Sequence, residues 1–418
     1  MIILETYIFT EDVALYMKLN WNFKMWGAVG IVMCLLLASG VYMSGIDRES
    51  QSVSIVARVN DEGSGIFIKS DRPDLTLDDD EGWDGLTFMT PGPSSIQHMI
   101  LNDIVTDLGM KFIQRGTTAE GKVVYWTQVA PGQMTDYMFR SDRDVDGGIA
   151  WEPHYSAAVN YKDNKNPGDT CKEVITTDVY SPGHPCCVIA VNNSYLEANE
   201  DTVKRFLAAY VKSVQWINNA LEDSDSDEFD RLVDETVRIG MPSSGGEDQS
   251  AIDKKKETVK EALYNIRYTY ELDNDEAKLS EQLEEIIEVY KKLNIVQQNT
   301  LTNAGFASSK AFTEHLVQGT YLDGVFDGDD LKTPEDLGYT GGNLTTINVA
   351  YLAADIHQMA LHIGVSEGFF EEYGIHVDLK GPYAAGGDVM NALLSKHANL
   401  GFVGSPPVVS SSVNALRS

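Results

Sequence analysis

Apolar positions along the chain alternate between two periods. "SVSIVARVN" (Ser52–Asn60) and "GIFIKS" (Gly65–Ser70) are short β-branched runs separated by "DEGS", which predicts strand, turn and strand. "LTFMT", "KVVYWTQV" and "CCVIAVNN" read as further strands. "SIQHMILNDIVTDLGM" has the spacing of an amphipathic helix ended by Gly109, and "PGQMTDYMF" looks like another helix start. "DGGIAWEPH" (Asp146–His154) reads as a short buried strand entering a loop. The strongest helix is "DTVKRFLAAYVKSVQWINNAL", with Val203, Phe206, Leu207, Tyr210, Val211, Val214 and Ile217 on one face. From Asp223 to Asp253 the chain is acidic and Gly/Ser-rich, with short helical patches. Lys254 to Val296 predicts two helices, and "SSKAFTEHLVQGTYLDGVF" one more.

Asp327 to Thr346 reads as a linker, and beyond it the strand–helix alternation restarts. "INVAYL", "IHVDLKG" and "LGFVG" are strands; "HQMALHIGVSEGFF" and "GGDVMNALLSKH" are helices. Such alternation predicts a parallel, doubly wound sheet, whose ligands bind at the carboxyl ends of the strands. That rule gathers "AADIHQ", "AAGGD" and "GSPPV" at one rim.

Charge narrows the partners. With 63 Asp and Glu against 32 Lys and Arg, the net charge is −31 over 418 residues. Such a field disfavours phosphate backbones, so nucleic acid is not an expected partner. Met25 to Ile46 carries no charged residue until Asp47 and is long enough to span a bilayer as a helix. Lys18 and Lys24 precede it, which places residues 1–24 in the cytoplasm and the rest outside. A cleaved signal segment is the alternative reading, from "MKLNWNFKMW" and "ASG". Either reading leaves the bulk of the chain in an oxidising location. A disulfide from Cys171 to Cys186 or Cys187 is then expected, closing a loop of about 15 residues worth about 3 kcal/mol. Free buried cysteines are the alternative.

Asn348 to Val409 closely resembles the opening of the nitrate/sulfonate/taurine-type solute-binding proteins of ABC transporters, a family that includes thiamine-precursor binders. The phrases that carry the resemblance are "GFFEEYGI", "AGGD" and "GSPP". "VNDEGSGI", "TPGPSSIQHM", "DGGIAWEP" and "VKRFLAAYVKSVQWIN" are similar to later parts of the same family, yet stand earlier in this chain. The resemblance implies an α/β, two-lobed periplasmic-binding-protein (type II) fold with doubly wound sheets, permuted or segment-swapped, to which the apolar run Met25–Ile46 adds an N-terminal transmembrane helix. Its parts are a cytoplasmic tail (1–24), an anchor or signal segment (25–46), the later part of the solute-binding fold (52–326), a linker (327–346) and the opening segment of the first lobe (347–418). Three explanations of the order stand open: a permuted monomer, a segment exchanged between copies, and a fragment of a longer tandem. A linker of about 20 residues reaches roughly 65 Å, enough to join the old ends.

The implied role is binding of a small anionic or zwitterionic solute and delivery to a membrane permease, with no cofactor and no catalysis. No GxSxG, HExxH, Walker or paired-carboxylate pattern argues for an enzyme, and His357 and His362 at i, i+5 do not share a helix face. The alternative role is structural, in oligomers or filaments built by exchange of 347–418. Candidate ligand contacts are Pro91, Gly92, Ser94 and Ser95 at one helix start and Gly386, Gly387 and Asp388 at another, with Ser94 or Ser95, and Asp388, as caps. Gly404, Ser405 and Pro406 follow a buried strand, and Asp355, His357 and Gln358 lie in the first strand-to-helix turn. The resemblance adds Trp151 and Glu152 at the cleft.

Overall fold

β1 (Val53–Glu62) and β2 (Ser64–Lys69) are separated by one residue, yet they enter different sheets. In the computed structural model, which describes residues 52–140, 144–161, 166–243 and 245–416, "DEGS" is a crossover between sheets. Glu62 and Gly63 both take left-handed backbone, with φ of 64° and 83°. Such a pair of residues reverses the chain without the strand pairing of a hairpin. A second crossover, residues 177–184, returns the chain from β7 (Cys171–Thr176) to β8 (Pro185–Asn192).

Among the described residues there are two six-stranded sheets. The first runs β13 (Ile375–Tyr383), β12 (Thr345–Leu352), β14 (Leu400–Gly404), β8, β1 and β9 (Ile266–Tyr268). The second runs β4 (Lys111–Gln114), β5 (Val123–Gln128), β3 (Thr87–Thr90), β6 (Gly147–Trp151), β2 and β7. Each is mixed where an all-parallel sheet was expected. β12, β13 and β14 are parallel, but β8 runs against β14 and β1 against β8. β9 runs against β1 at the edge, and in the second sheet β2 runs against both β6 and β7.

The helices that position the site are α1 (Ile96–Asp107), α2 (His154–Val159), α3 (Glu200–Glu222), α4 (Asp227–Gly240), α5 (Gln249–Tyr264), α6 (Leu279–Lys292), α7 (Ser309–Leu316), α8 (Met359–Ser366), α9 (Gly386–Leu394) and α10 (Ser405–Ala415). α3 buries the seven residues that periodicity selected. Phe206 stacks on Phe370 at 4.8 Å and meets Phe402 edge-on, while the Tyr210 hydroxyl donates to Arg58 O at 3.2 Å. Each such buried side chain contributes about 1.5–3 kcal/mol, which seats α3 on the first sheet. The acidic stretch after it is mostly helix: Ser226 caps α4 and Asp248 caps α5 through their side chains. The next helix stops at Tyr264, and Ile266–Tyr268 leaves as edge strand β9, with Ile266 and Tyr268 buried and Arg267 exposed.

Residues 327–346 are largely exposed but are tied to the first sheet's layer at two points. β10 (Phe326–Asp327) and β11 (Asp330–Leu331) form a short hairpin, the Tyr373 hydroxyl donates to Lys332 O at 2.9 Å, and the Tyr339 ring lies 5.6 Å from the Arg205 guanidinium. The segment beyond completes the sheet of its own chain: β14 pairs with β8 from Leu400 opposite Val191 to Gly404 opposite Cys187.

The expected disulfide is absent. Cys171 sits on β7 against the Met138 sulfur, whereas Cys186 and Cys187 open β8 in the other sheet, and all three are free and buried. Among the described residues no helix is long and apolar enough to cross a membrane. The tail 1–24, the apolar run Met25–Ile46 and Cys34 lie outside the described residues.

Candidate functional site

Two helix starts face each other across a cleft between the sheets. The loop after β3 carries Pro91, Gly92, Ser94 and Ser95 into α1. Gly92 has φ 128°, and a Cβ there would press on the Gln128 amide at 2.7 Å, so only glycine fits the turn. Ser95 is the cap: its Oγ accepts from His98 N at 3.2 Å and donates to Gly92 O at 2.8 Å. The Tyr290 hydroxyl, from α6, donates to Ser94 O at 2.8 Å and fixes the loop. The first-turn N–H groups of Ile96 and Gln97 point out of the helix end, as they must in any α-helix.

Opposite, Ala385 is the N-cap of α9, with no side-chain cap bond, so Gly386 and Gly387 present their N–H groups unshielded. Asp388, expected as the cap, is instead an exposed first-turn residue, where its charge complements the helix end. A Cβ on Gly386 would sit 2.6 Å from Pro407, so close packing of α9 on α10 depends on that glycine. α10 starts after Gly404. Ser405 turns away and donates to Pro185 O at 2.8 Å, and Pro406 and Pro407 offer no N–H. This third helix start therefore supplies shape more than donors.

The turn after β12 ties the cleft to the crossover. Asp355 Oδ1 accepts from His357 N at 3.0 Å and from His357 Nδ1 at 2.8 Å. The other ring nitrogen lies 2.9 Å from Gly63 O. Gly63 O also accepts from Glu152 N at 3.0 Å, so one carbonyl in the crossover is held from both lobes. Burial alone would lower the His357 pKa, but the negative charge facing it from Cys186 and Asp355, with the bonds to Asp355 and Gly63 O, raises it to about 9. The imidazolium–carboxylate pair is close to neutral, so Asp355 does not repel an anion. Gln358 does not reach the cleft. It is fully buried, donates to Phe402 O at 3.1 Å and accepts from Leu352 N at 3.0 Å.

Trp151 lines the cleft from β6, and its indole N–H is buried without a hydrogen-bond partner. Glu152 faces the other way. Its carboxylate accepts from Asn265 Nδ2 at 2.7 Å, Ser156 Oγ at 2.8 Å and Ser156 N at 3.1 Å, and it is fully buried. Glu152 lies just past the end of β6, in the turn into α2, where its carboxylate meets the first turn of that helix and Asn265.

These elements enclose a cavity of about 320 Å³. Pro91, Ser94, Ser95, Trp151, Asp355, His357, Gly386, Gly387, Gly404 and Pro406 line it; Gly92, Glu152, Gln358, Asp388 and Ser405 do not. The phrases singled out for the rim and for the resemblance already contain Ile96, Gln97, Ala353, Ala384, Ala385 and Pro407, though none was named as a contact; sequence reasoning missed Gln128, Ala130, Pro131 and Leu352 and did not place Cys186 and Cys187 there. Among the described residues, neither lysine nor arginine lines the cavity. Positive potential comes from the helix ends, the His357 charge being balanced by Asp355, in a mostly apolar wall. Among the described residues no His, Cys, Asp and Glu group could hold a metal ion.

Residues 28–228, just under half of the chain, match the model of the NMT1-like family. No curated protein matches. Similar solved structures include a ligand-binding component of an ABC-type import system from Staphylococcus aureus with zinc bound, 13% identical, with 69% of this chain and 77% of that one covered and a TM-score of 0.39. Another is the periplasmic aliphatic sulphonate binding protein SsuA from Escherichia coli, 13% identical, with 59% and 70% covered and a TM-score of 0.37.

Proposed function

We propose that the chain is the extracytoplasmic solute-binding component of an ABC-type importer, not an enzyme. It holds one small anionic or zwitterionic solute between two lobes and hands it to a membrane permease. The observation that carries the reading is the cavity itself: unshielded N–H groups of α1 and α9 meet across it, beside a buried indole N–H with no partner. A sulfonate, nitrate or carboxylate group fits donors of that kind without a buried lysine or arginine. The apolar wall of Trp151, Ile96, Leu352 and the prolines suits a small organic body. In this reading the 347–418 segment is the opening piece of the first lobe, carried last in the chain and folded back onto β8, with residues 1–46 holding the receptor at the membrane.

The test is native mass spectrometry of gently purified full-length protein, followed by calorimetric titration with methanesulfonate, taurine, nitrate and acetate. One solute per chain is expected. At a hundred times its Kd a solute should stabilise the fold by about 2.7 kcal/mol. Trp151→Phe should weaken binding ten- to a hundredfold, the value of about 1.5–3 kcal/mol for a hydrogen bond to a charged group, and leave unliganded stability within about 0.5 kcal/mol, because no folded-state bond is lost. A protein that carries no solute mass and gains no stability from the four probes refutes the proposal.

A further inference from the structure

Two Asn-x-Ser/Thr triplets occur in the chain, Asn192–Asn193–Ser194 and Asn343–Leu344–Thr345. That pattern is the acceptor of N-linked sugar, and it serves where the asparagine stands on a surface loop. The fold treats the two triplets in opposite ways. Asn192 ends β8 and is 2% exposed. Its Nδ2 donates to Leu393 O at 3.2 Å, its Oδ1 accepts from Ser194 Oγ at 2.7 Å, and it stands opposite Val53 on β1. Asn343 lies in the loop before β12 and is exposed, as are Gly341, Gly342 and Leu344 around it. Gly341 and Gly342 have φ of 95° and 123°, and a Cβ added to either would meet nothing within 4 Å. The loop is therefore a turn that projects into open space. Its base is fixed, since the Tyr339 hydroxyl donates to Gly342 O at 3.3 Å and Thr345 N donates to Gly374 O at 2.9 Å. Among the described residues, no group bonds the Asn343 side-chain amide or the Thr345 hydroxyl.

We propose that Asn343 is an N-glycosylation site, taking its sugar from a lipid-phosphate-linked oligosaccharide on the extracytoplasmic face of the membrane. The amide nitrogen attacks the anomeric carbon, the bond from that carbon to the phosphate oxygen breaks, and a carbon–nitrogen bond replaces it. The amide gives up one proton, and the lipid phosphate leaves with the electron pair. A membrane oligosaccharyltransferase supplies the catalysis; this chain supplies the acceptor. The site rests on the extracytoplasmic placement in the proposed function. Its position gives the sugar two things to do. Leu344 is 38% exposed, and a glycan on its neighbour covers it. Thr345 stands opposite Ile375 at the start of β13, an outermost strand of the first sheet. An open edge invites pairing with another chain, and a bulky hydrophilic group at its end obstructs that. On Asn192 the same sugar would displace Leu393 and α9, so the folded protein excludes it there.

Full-length protein is taken from the cells that make it, digested with trypsin and mapped by tandem mass spectrometry. Trypsin separates the triplets, because Asn192 falls in Glu173–Lys204 and Asn343 in Thr333–Lys380. Sugar on Asn343 at an occupancy at least tenfold above that on Asn192 is expected. The added mass survives denaturation, which distinguishes it from a bound solute. Asn343→Gln and Thr345→Ala should abolish it, and Thr345→Ser should keep it. A bare Asn343, or equal occupancy of Asn192, overturns the proposal. Protease added to spheroplasts tests the placement separately. A protein that is cut there and has Asn343 bare refutes the modification site and leaves the solute reading standing. A protein that is cut only after lysis, again with Asn343 bare, refutes the extracytoplasmic reading as well.

Discussion

Gly63→Ala should cost far more than a methyl group on a surface turn. At φ 83° an alanine is strained by about 1–2 kcal/mol. Its Cβ would also overlap His357 Nε2 and stand 2.8 Å from Ile266 Cγ1 and 2.9 Å from His357 Cδ2, so the imidazole has to move. Moving it breaks the 2.9 Å bond to Gly63 O, and a bond from a charged donor is worth about 1.5–3 kcal/mol. The sum is about 2.5–5 kcal/mol, a large part of the 5–15 kcal/mol that holds an ordinary domain. Urea unfolding followed by circular dichroism measures it. A double-mutant cycle then isolates the part that passes through the ring. In a His357→Ala background, Gly63→Ala should cost only the backbone strain plus any contact with Ile266. A cost below about 1 kcal/mol in the parent protein, or the full cost in the His357→Ala background, would refute the argument that the crossover is held by His357.

Tyr290→Phe leaves Ser94 O without its donor and should cost about 1–2 kcal/mol in urea unfolding; a tighter or unchanged solute Kd would show that the loop at α1 does not need this brace. Acid should unfold the protein early. His98, His154, His184 and His362 are held neutral by burial, with pKa lowered to about 4, 4, 3 and 4. Their contribution is intact above the unfolded value near 6.5 and is lost as pH falls towards the folded values, at about 1.4 kcal/mol per group per pH unit. His357 has the opposite sign. Its stabilisation is present below about 6.5 and fades as pH rises through about 9, up to about 3 kcal/mol in all. Urea unfolding from pH 5 to 10 should therefore peak near neutrality, and a flat profile between pH 5.5 and 7 contradicts the buried-histidine account.

The features legible in the sequence are those set by local physics. The seven apolar positions of α3 share one face, so 3.6-residue spacing found them. Ser95 caps α1 because serine before an apolar helix competes well for first-turn N–H groups. The rim formed by the turn after β12, the start of α9 and the start of α10 followed from the strand-end rule. What could not be read depends on which sheet a strand joins. "DEGS" has the turn chemistry of a hairpin, and nothing local says that β1 and β2 part company there. The same ignorance paired Cys171 with Cys186 or Cys187 across two sheets. Ile266–Tyr268 passed for helix because three residues are too few to display a period of two against the helix before them. Glu152 and Gln358 carry the right chemistry for a ligand, but burial turned both inward to satisfy Asn265, Ser156 and the Phe402 carbonyl.

The position of β14 bears on how the protein is made. β8 and β1 emerge from the ribosome more than two hundred residues before the strand that covers β8's open edge. During that interval the edge is a bare row of amide and carbonyl groups able to pair with another nascent chain. Two of the helix starts at the cavity, those of α9 and α10, arrive in the same last stretch. A chain that stops short of Leu400 cannot close this sheet, and under the proposed function it cannot hold a solute either.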